Sequence, residues 1–468
     1  MVQVVSRQIS SLLIHEVVVA ILAVSNRERL LQRDGMEPRT RDHLTAVEQE
    51  LGIEELLGLG IWIDGVPYNW DRSQSLEVIT LSFPGLTGEW KNLRIPLTAI
   101  PKGWVATNET FDDLLEIVAW SLRHLAAGVH PTARHDGEPW LPSEKHRAPR
   151  GGTPMGVQGV LAEVRGDWLM YKEVFHLPGW KETSGCCWLC TATPADIRDA
   201  SSAARWRRER LSHWDLLERI LRKGHVLSPL LSAPGIKHTC FKVDWLHAVD
   251  QGAGSDFLGN LFFLLVGKME GRRKKDRIKA LLHVIKKWYT DNGVESRLQT
   301  LTWGMIKNNK APPKLRCKAA EARALIPFAQ FAAERYLNDL IPEELAAKQM
   351  SVHLNALYRT LSSATIFRED LMREHCRKFF LLYAGLEATH GAGSSKKWKV
   401  KPKFHLVQEL CEMTTGCCPS LSWTYRDEDF GGSAAAMAKR KGGISTPKSN
   451  SRMLLDKFVA KNQVPAIL

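Results

Sequence analysis

The stretch GLGIWIDGVPYNWDRSQSLEVITLSF, residues 58 to 83, holds two apolar runs on either side of a turn-rich segment. The first run, 58 to 64, ends at Asp64, and the second covers 75 to 83. A third run, NLRIPLTAI, follows at 92 to 100 after another turn-rich segment. Short aliphatic runs bounded by glycine, proline and asparagine are typical of strands, so this region predicts three strands in an antiparallel meander.

A helix and a fourth strand follow the predicted meander. Residues 109 to 128 have helical periodicity, with Thr110 as the predicted capped start. Residues 156 to 167, GVQGVLAEVRGD, predict a strand that ends at Asp167. Three strands, a helix and a fourth strand, with acids at the ends of the first and fourth strands, form the order of an RNase H-like core. We therefore expect an α/β fold with an RNase H-like mixed sheet.

A long helical and basic region separates this predicted core from the last acidic motif. Segments such as 276 to 289 and 320 to 340 have apolar residues three and four positions apart, which predicts helices. The predicted organisation in chain order is an N-terminal helical segment at 1–56 broken by RDGMEPRTRDH (33–43), the first part of the core at 57–200, an all-helical basic insertion at 201–400, the closing part of the core at 401–445, and a C-terminal tail at 446–468. Residues 431 to 452 are expected to be loosely ordered.

The charge balance favours a polyanionic partner. The 468 residues carry 64 Lys and Arg against 51 Asp and Glu, a net charge of +13, which suits nucleic acid, with an acidic membrane surface as the competing interpretation. The basic residues are clustered at 205–214, 268–279, 396–403 and 438–443, and tryptophans are interleaved in two of these clusters. Such clusters suit phosphate contacts and base stacking, although each alone also fits a solvated helix face.

The N-terminal apolar stretch and the cysteines indicate the compartment. SSLLIHEVVVAILAVSN, residues 10 to 26, contains His15 and Glu16, lacks signal-peptide features and is too short to span a membrane, so a buried helix is expected. The nine cysteines are an odd number and partly adjacent, which does not resemble a disulfide framework. We expect a reducing compartment, the cytosol or the nucleus.

Two aspartates at predicted strand ends are candidate metal ligands. Asp64 and Asp167 each adjoin a glycine at the end of an apolar strand, and each taken alone also fits an ordinary turn residue. Together with a late carboxylate they have a second explanation, because phosphodiester chemistry uses two divalent cations held by carboxylates from different elements. Mg²⁺ prefers such oxygen ligands.

Two shorter motifs are also candidates for metal binding. Cys187 and Cys190, in CCWLC, form half of a tetrahedral zinc site or are small buried thiols in a tight turn. Distant partners could be His405, His247, Cys411, or His238 with Cys240. Asp244 and His247 form a DxxH pair that could bind a metal or a phosphate, or simply pair with each other.

In this order, the motifs resemble those of CACTA-type (En/Spm-like) transposases. The resembling segments are IWIDGVPYNWDRSQSLEVITLSFPG at 61–85, GDWLMYKEVFHLPGWKETSGCCWLC at 166–190, DWLHAVDQGAGSDFLGNL at 244–261 and SWTYRDEDFGGSAAAMAKRKGG at 422–443. The resemblance covers about 57 to 443, and it depends on the order of the motifs and on the distance from the aspartate to the CxxC pair.

The resemblance implies a DDE recombinase that cuts DNA and transfers strands. It implies that Asp64, Asp167 and Glu428 hold two Mg²⁺ (or Mn²⁺), and that Asp244 and His247 form a family motif of uncertain role. It also implies a structural Zn²⁺ on Cys187 and Cys190 that ties the insertion to the core. His405 would be the third zinc ligand, with the fourth left open among Gln408, Glu409 and Cys411. The implied partners are transposon ends and target DNA, a second copy of the chain by analogy, and no membrane, in the nucleus.

The motif YRDEDFGG, residues 425 to 432, offers three adjacent carboxylates for the third catalytic position. The resemblance assigns Glu428 as the third catalytic acid. We expect a helix that starts here to direct Glu428 toward the core while Asp427 and Asp429 point elsewhere. Asp427 is the reserve candidate. Without the resemblance, the three acids would be read as an acidic first helical turn.

Two other functions remain open from the sequence. One is a domesticated or decayed transposase that binds DNA without cutting it, favoured because residues 1 to 56 show no zinc finger or helix-turn-helix pattern. The other is a plain RNase H-like nuclease, for which the CxxC pair and the helical insertion would be superfluous.

Overall fold

The computed structural model describes residues 6–69, 73–106, 108–308, 310–362, 367–392, 396–413, 416–438 and 446–462. The strands are β1 (Leu56–Pro67), β2 (Ser75–Ser82), β3 (Ile95–Pro101) and β4 (Gln158–Arg165). The helices are α1 (Ile14–Val24), α2 (Arg27–Leu30), α3 (Pro38–Leu51), α4 (Thr110–Ala127), α5 (Trp168–Phe175), α6 (Arg205–Arg208), α7 (His213–Arg222), α8 (Gly254–Lys268), α9 (Lys274–Asp291), α10 (Trp303–Ile306), α11 (Ala319–Tyr336), α12 (Pro342–Ser362), α13 (Glu369–His390), α14 (Pro402–Glu412), α15 (Tyr425–Ala438) and α16 (Pro447–Asn462). A π-helical segment, Leu246–Ala253, precedes α8.

The chain forms two compact units, and each is discontinuous in sequence. The first unit comprises Met1–Gly179, Leu211–Lys242 and Thr424–Leu468, and the second comprises Trp180–Arg210 and Val243–Trp423. The sheet lies in the first unit with α1 to α5, α7, α15 and α16, whereas α6 and α8 to α14 belong to the second.

The described part of the first unit contains a mixed four-stranded sheet in the order β3-β2-β1-β4. β2 is antiparallel to both β1 and β3, and β4 is parallel to β1. The predicted α/β class, the meander and the fourth strand are therefore confirmed. β1 is longer than predicted, because Gly65, Val66 and Pro67 continue its pairing with β2 beyond Asp64.

One face of the sheet packs against the two C-terminal helices. A buried cluster joins strand residues to α15 and α16 and consists of Trp62, Leu76, Val78, Ala99, Ala434 and Leu454. Gly431 lets α15 approach closely, because a Cβ there would lie 2.9 Å from the Trp62 ring and 3.0 Å from Val66 Cγ2. The glycine pair of the acidic motif thus has a packing role at its first member.

The opposite face carries α4, with α1 packed against α4. A Cβ on Gly159 would lie 3.2 Å from Leu57 Cβ and 3.3 Å from Leu125 of α4. The predicted buried N-terminal helix is confirmed as α1, in which His15 is buried and its Nδ1 lies 2.8 Å from Ser121 Oγ of α4.

Three local predictions from the sequence are wrong. Thr110 does not cap α4 but is its first residue, and its Oγ1 accepts a hydrogen bond from the Ala106 N–H. The break at 33–43 is shorter than expected, because Pro38 suits the first position of α3. Residues 431–452 are not loosely ordered where the structure describes them, since α15 reaches Ala438 and α16 begins at Pro447.

Helices make up most of the described second unit. The predicted helical segments at 276–289 and 320–340 correspond to α9 and α11. Helices α11 to α14 pack successively against one another, and α14 also contacts the π-helical segment. Aromatic rings fill the interior, with Tyr383 of α13 4.3 Å from Phe404 of α14 between ring centroids.

Substitution of the two glycines of α15 should have opposite effects. Alanine at 431 clashes with the buried Trp62 ring, so we expect a net loss of about 1–2 kcal/mol in the free energy of unfolding. Alanine at Gly432, which has no atom within 4 Å of its Cβ position, should add up to about 1 kcal/mol through helix propensity. Denaturant unfolding of both variants measures this, and equal effects would contradict the close packing of α15 on β1.

The buried His15 should make stability depend on pH. Burial lowers the His15 pKa from 6.5 to about 4, with the charge of Glu16 opposing. Below pH 6.5 the unfolded chain binds a proton at His15, whereas the folded chain binds it only near pH 4. The free energy of unfolding therefore has its full value above pH 6.5 and falls by up to about 3 kcal/mol between pH 6.5 and pH 4. Unfolding of His15→Gln across this range should show a shallower slope than the wild type; an unchanged slope would contradict this origin.

Candidate functional site

Asp64 and Asp167 lie at the same edge of the sheet. β1 and β4 are parallel neighbours, and Trp62 pairs with Arg165. Asp64 and Asp167 each follow these residues by two positions, so both lie at the same edge of the sheet. Asp167 also caps α5, since its Oδ1 accepts a hydrogen bond from the Met170 N–H at 2.6 Å. Asp64 Oδ1 accepts one from the Gly65 N–H at 2.7 Å. Both side chains are half-buried and line one pocket of the first unit.

Helix α15 brings Glu428 to this edge. One carboxylate oxygen of Glu428 lies within 4.8 Å of one of Asp64, and both residues belong to the first unit. Glu428 is half-buried, whereas Asp429 is exposed. The three acids assigned to catalysis thus come from β1, the start of α5 and the first turn of α15.

The expected orientation of Asp427 is wrong. Asp427 is fully buried and points into the core, where its carboxylate pairs with Arg94 Nε and lies 3.4 Å from Arg165 Nη1. Arg165 in turn pairs with buried Glu163, and the charges of Glu163 and Asp427 raise the pKa of Arg165 despite its burial. Asp427 is therefore occupied as a structural anchor of α15, which removes the ground for its use as the reserve catalytic acid.

Glu77 is a carboxylate of this pocket that sequence reasoning missed. It lies opposite Gly65 on β2, is 8% exposed, and lines the pocket of about 570 Å³ with Asp64 and Asp167. Burial raises its pKa, with Lys102 opposing and Asp64 adding to the rise. The available signal was that Glu77 is the one charged residue in the strand SLEVITLS.

Asp244 and His247 interact with each other within the second unit. Asp244 precedes the helical segment rather than sharing a helix face, and its Oδ2 accepts hydrogen bonds from the His247 N–H at 2.9 Å and lies 2.7 Å from His247 Nδ1. The DxxH motif thus forms a local cap.

A second candidate metal centre lies in the second unit. Cys187, Cys190, His405 and Glu409 are all buried, and one potential ligand atom of each lies within 4.8 Å of the others. Cys190 Sγ is 3.2 Å from His405 Nε2, and Glu409 Oε1 is 3.4 Å from the same nitrogen. This buried group of two thiols, an imidazole and a carboxylate could bind a metal.

Helix α14 and the segment before α7 orient two of these side chains, His405 and Glu409. His405 and Glu409 are four residues apart on α14 and therefore share one helical face. Arg210 holds Glu409 through two bonds of 2.8 Å, and the Trp206 ring meets His405 edge-on at 4.7 Å. The Leu189 N–H donates to Cys187 Sγ at 3.3 Å, which favours a thiolate there.

The surroundings of this group already stabilise charge separation. Burial opposes ionisation of Cys187, but the hydrogen bond from Cys190 and the charge of His405 lower its pKa to about 5. The same hydrogen bond and burial raise the pKa of Cys190. Burial opposes the positive form of His405, yet the charge of Cys187 raises its pKa. The surroundings thus favour the thiolate form of Cys187.

The other candidate ligands lie elsewhere. His238 and Cys240 belong to the first unit, and Cys240 Sγ lies 3.4 Å from His43 Nε2 there. Cys411 interacts with Cys376 of α13. Among the alternatives left open for the fourth ligand, Glu409 is the one that meets the two cysteines and His405.

Three of the basic clusters each contribute a cation to an internal ion pair. Arg207 pairs with Glu412 at 2.9 Å, Lys268 with Glu344 at 2.7 Å, and Lys399 with Glu387 at 3.2 Å. Trp206 and Trp398 are fully buried, so the expectation that they stack on bases is wrong, whereas Trp214 is 77% exposed. Residues 439–443 of the fourth cluster lie outside the described residues.

No protein-family model matches the chain, and no curated protein matches it significantly. Among the described residues, no helix has the length and apolar character needed to cross a membrane.

Proposed function

We propose that the protein is a DNA transposase of the RNase H-like, DDE class, which cleaves and transfers DNA strands with divalent metal ions. One observation carries the proposal: Asp64 and Asp167 lie at one edge of the sheet and line one pocket, and a carboxylate oxygen of Glu428 lies within 4.8 Å of one of Asp64. Carboxylates that converge from separate elements are the ligand set that phosphodiester chemistry with two metal ions requires.

The topology supports an RNase H-like core. Three antiparallel strands, a helix and a fourth strand parallel to the first occur in the order β3-β2-β1-β4, as expected for such a core. Residues of the helical second unit interrupt the first unit before α15, the helix that carries Glu428. An insertion before the last acid agrees with the resemblance to the CACTA-type family.

The three carboxylates fit Mg²⁺ or Mn²⁺ by their chemistry. They offer oxygen ligands only and are half-buried, Asp64 and Asp167 line the pocket, and Asp64 and Glu428 are close enough to share a cation. When bound, the ions would activate the attacking oxygen and stabilise charge on the phosphate. Asp64, Asp167 and Glu428 would hold the ions, and the Asp427 anchor would keep Glu428 in place.

The buried group of the second unit fits structural Zn²⁺. Two sulfurs, one imidazole nitrogen and one carboxylate oxygen are ligands that zinc accepts, and the site is closed to solvent. If both cysteines are thiolates, their two negative charges and that of Glu409 would be balanced by Arg210 and a divalent cation. The buried group would then carry no net charge, which removes the cost of burying one. The ion would join residues 187–190 to α14 within the second unit.

The proposed partners are transposon ends and target DNA, in the nucleus, with a dimer expected by analogy. The net charge of +13 supports a DNA partner through phosphate contacts. A relic that binds DNA without cutting it would not need the three acids at one edge, and a plain nuclease would not need the second metal centre. The presence of both features favours the transposase over these two alternatives.

Purified protein should contain about one zinc ion per chain. Cys190→Ser or His405→Ala should lose the zinc, and the free energy of unfolding should fall by several kcal/mol, because the ion stabilises only the folded chain. Elemental analysis and thermal unfolding measure the two effects. Cys240→Ser is the matched control, because it also removes a buried thiol but lies in the first unit. Zinc retained in full by both ligand variants would exclude this site.

Purified protein should nick supercoiled DNA when Mg²⁺ or Mn²⁺ is added. Asp64→Asn, Asp167→Asn and Glu428→Gln should each reduce the rate by more than about 100-fold, because each removes a charged metal ligand. Asparagine at 167 keeps the cap of α5, so its loss of activity would not reflect unfolding. Asp429→Asn, one residue from Glu428 but exposed, should cut normally.

If the wild type binds DNA but leaves it uncut with every metal, the relic hypothesis replaces the transposase. If cutting survives in all three variants, the activity belongs to another site or to a contaminant.

A further inference from the structure

The pocket beside Asp64 and Asp167 extends well beyond these two acids. Its volume of about 570 Å³ lies within the range of small-molecule sites, about 300–1,000 Å³. The lining that the proposed cleavage does not use includes Glu77, Phe111, His176 and His225, all in the first unit. These residues combine a buried acceptor with flat ring surfaces.

Glu77 provides the hydrogen-bond acceptor. Its neighbour across the strands is Gly65, where an added Cβ would lie only 3.0 Å from Glu77 Oε1, so the absence of a side chain leaves room for the carboxylate. Glu77 forms a salt bridge with Lys102, in which Lys102 Nζ lies 3.7 Å from Glu77 Oε1, and the Lys102 side chain is 66% exposed. A buried carboxylate is costly unless it accepts hydrogen bonds, so a ligand with donor groups suits this position.

The ring surfaces are suited to stacking. His176 and His225 are stacked, with centroids 4.3 Å apart and an angle of 5° between the rings, and both line the pocket. Phe111 lies at the start of α4 and is half-buried. Planar bases stack on such rings, and each stacked base increases affinity.

The surrounding charges define where a phosphate would lie. Lys102 and Lys172 line the same pocket and are exposed, so their ammonium groups could contact a phosphodiester. Asp64 and Asp167 line it as well. Glu173 also lines the pocket, so four carboxylates lie beside the two lysines and any phosphate contact falls to Lys102 and Lys172. A flat base with donor groups on its edge suits the rings and Glu77.

We infer that this pocket binds one unpaired nucleotide adjacent to the phosphodiester that is cleaved, an inference that rests on the proposed function. Guanine fits Glu77 best, because its N1–H and N2–H donors lie side by side and the two carboxylate oxygens accept both. Phe111 and the His176–His225 pair hold the base plane, and the lysines contact its phosphate. The nucleotide must be unpaired, since a paired base has its donors occupied.

The test is DNA binding by the non-cutting Glu428→Gln variant, since Glu428 does not line the pocket. Fluorescence anisotropy compares a duplex with a short guanine overhang, the same duplex with a thymine overhang, and the same duplex with an abasic overhang. We expect the guanine overhang to bind about tenfold or more tightly than the abasic one, with thymine between them.

Glu77→Gln should abolish the preference for guanine over thymine, and Phe111→Ala should weaken binding of both bases but not of the abasic overhang. Asp113→Ala is the matched control, because it is exposed on α4 and absent from the lining. Thermal unfolding of each variant identifies loss of structure.

Equal binding of the three overhangs, or equal losses for all three in the pocket variants, would overturn the nucleotide pocket. If the wild type still nicks DNA in that case, the proposed function survives alone. If the overhangs are discriminated but no metal supports cutting, the pocket stands and the catalytic proposal fails. Absence of any DNA binding overturns both.

Discussion

The first unit depends on the buried ion pairs of Asp427. Arg94 directly precedes β3, Arg165 ends β4 and Asp427 lies in the first turn of α15, so one carboxylate joins three segments that are far apart in sequence. Removing one partner of such a buried network typically costs about 3–5 kcal/mol, because the remaining charge has no water to solvate it. The same contacts hold α15 on the sheet, and the adjacent residue, Glu428, is thereby directed toward Asp64.

This anchoring separates the roles of three neighbouring acids. Successive residues of a helix point about 100° apart, so when Asp427 enters the core, Glu428 comes to the edge of the sheet and Asp429 faces solvent. Gly431 completes the arrangement, because its missing side chain allows the helix to contact Trp62. The acidic motif thus combines an anchor, a candidate metal ligand and a solvated residue within one turn.

The two candidate metal centres differ in their surroundings. At the edge of the sheet, half-buried carboxylates face a pocket, which suits exchangeable cations and a reacting phosphate. In the second unit, the four potential ligands are buried and Arg210 balances the charge of Glu409, which suits a permanent structural ion. The protein thus pairs an accessible site with a closed one.

The sequence by itself determined the strands, helices α1, α4, α9 and α11, and the positions of Asp64 and Asp167, because hydrophobic periodicity and strand ends are local properties. It also identified the CxxC pair and His405. Only the tertiary structure decided which acid of the motif faces the core, that Glu409 joins the cysteines, that Glu77 lines the pocket, and that Trp206 and Trp398 are buried. The physical reason is that burial and charge pairing depend on partners such as Arg94 and Arg210, which lie about 200 to 330 residues away along the chain.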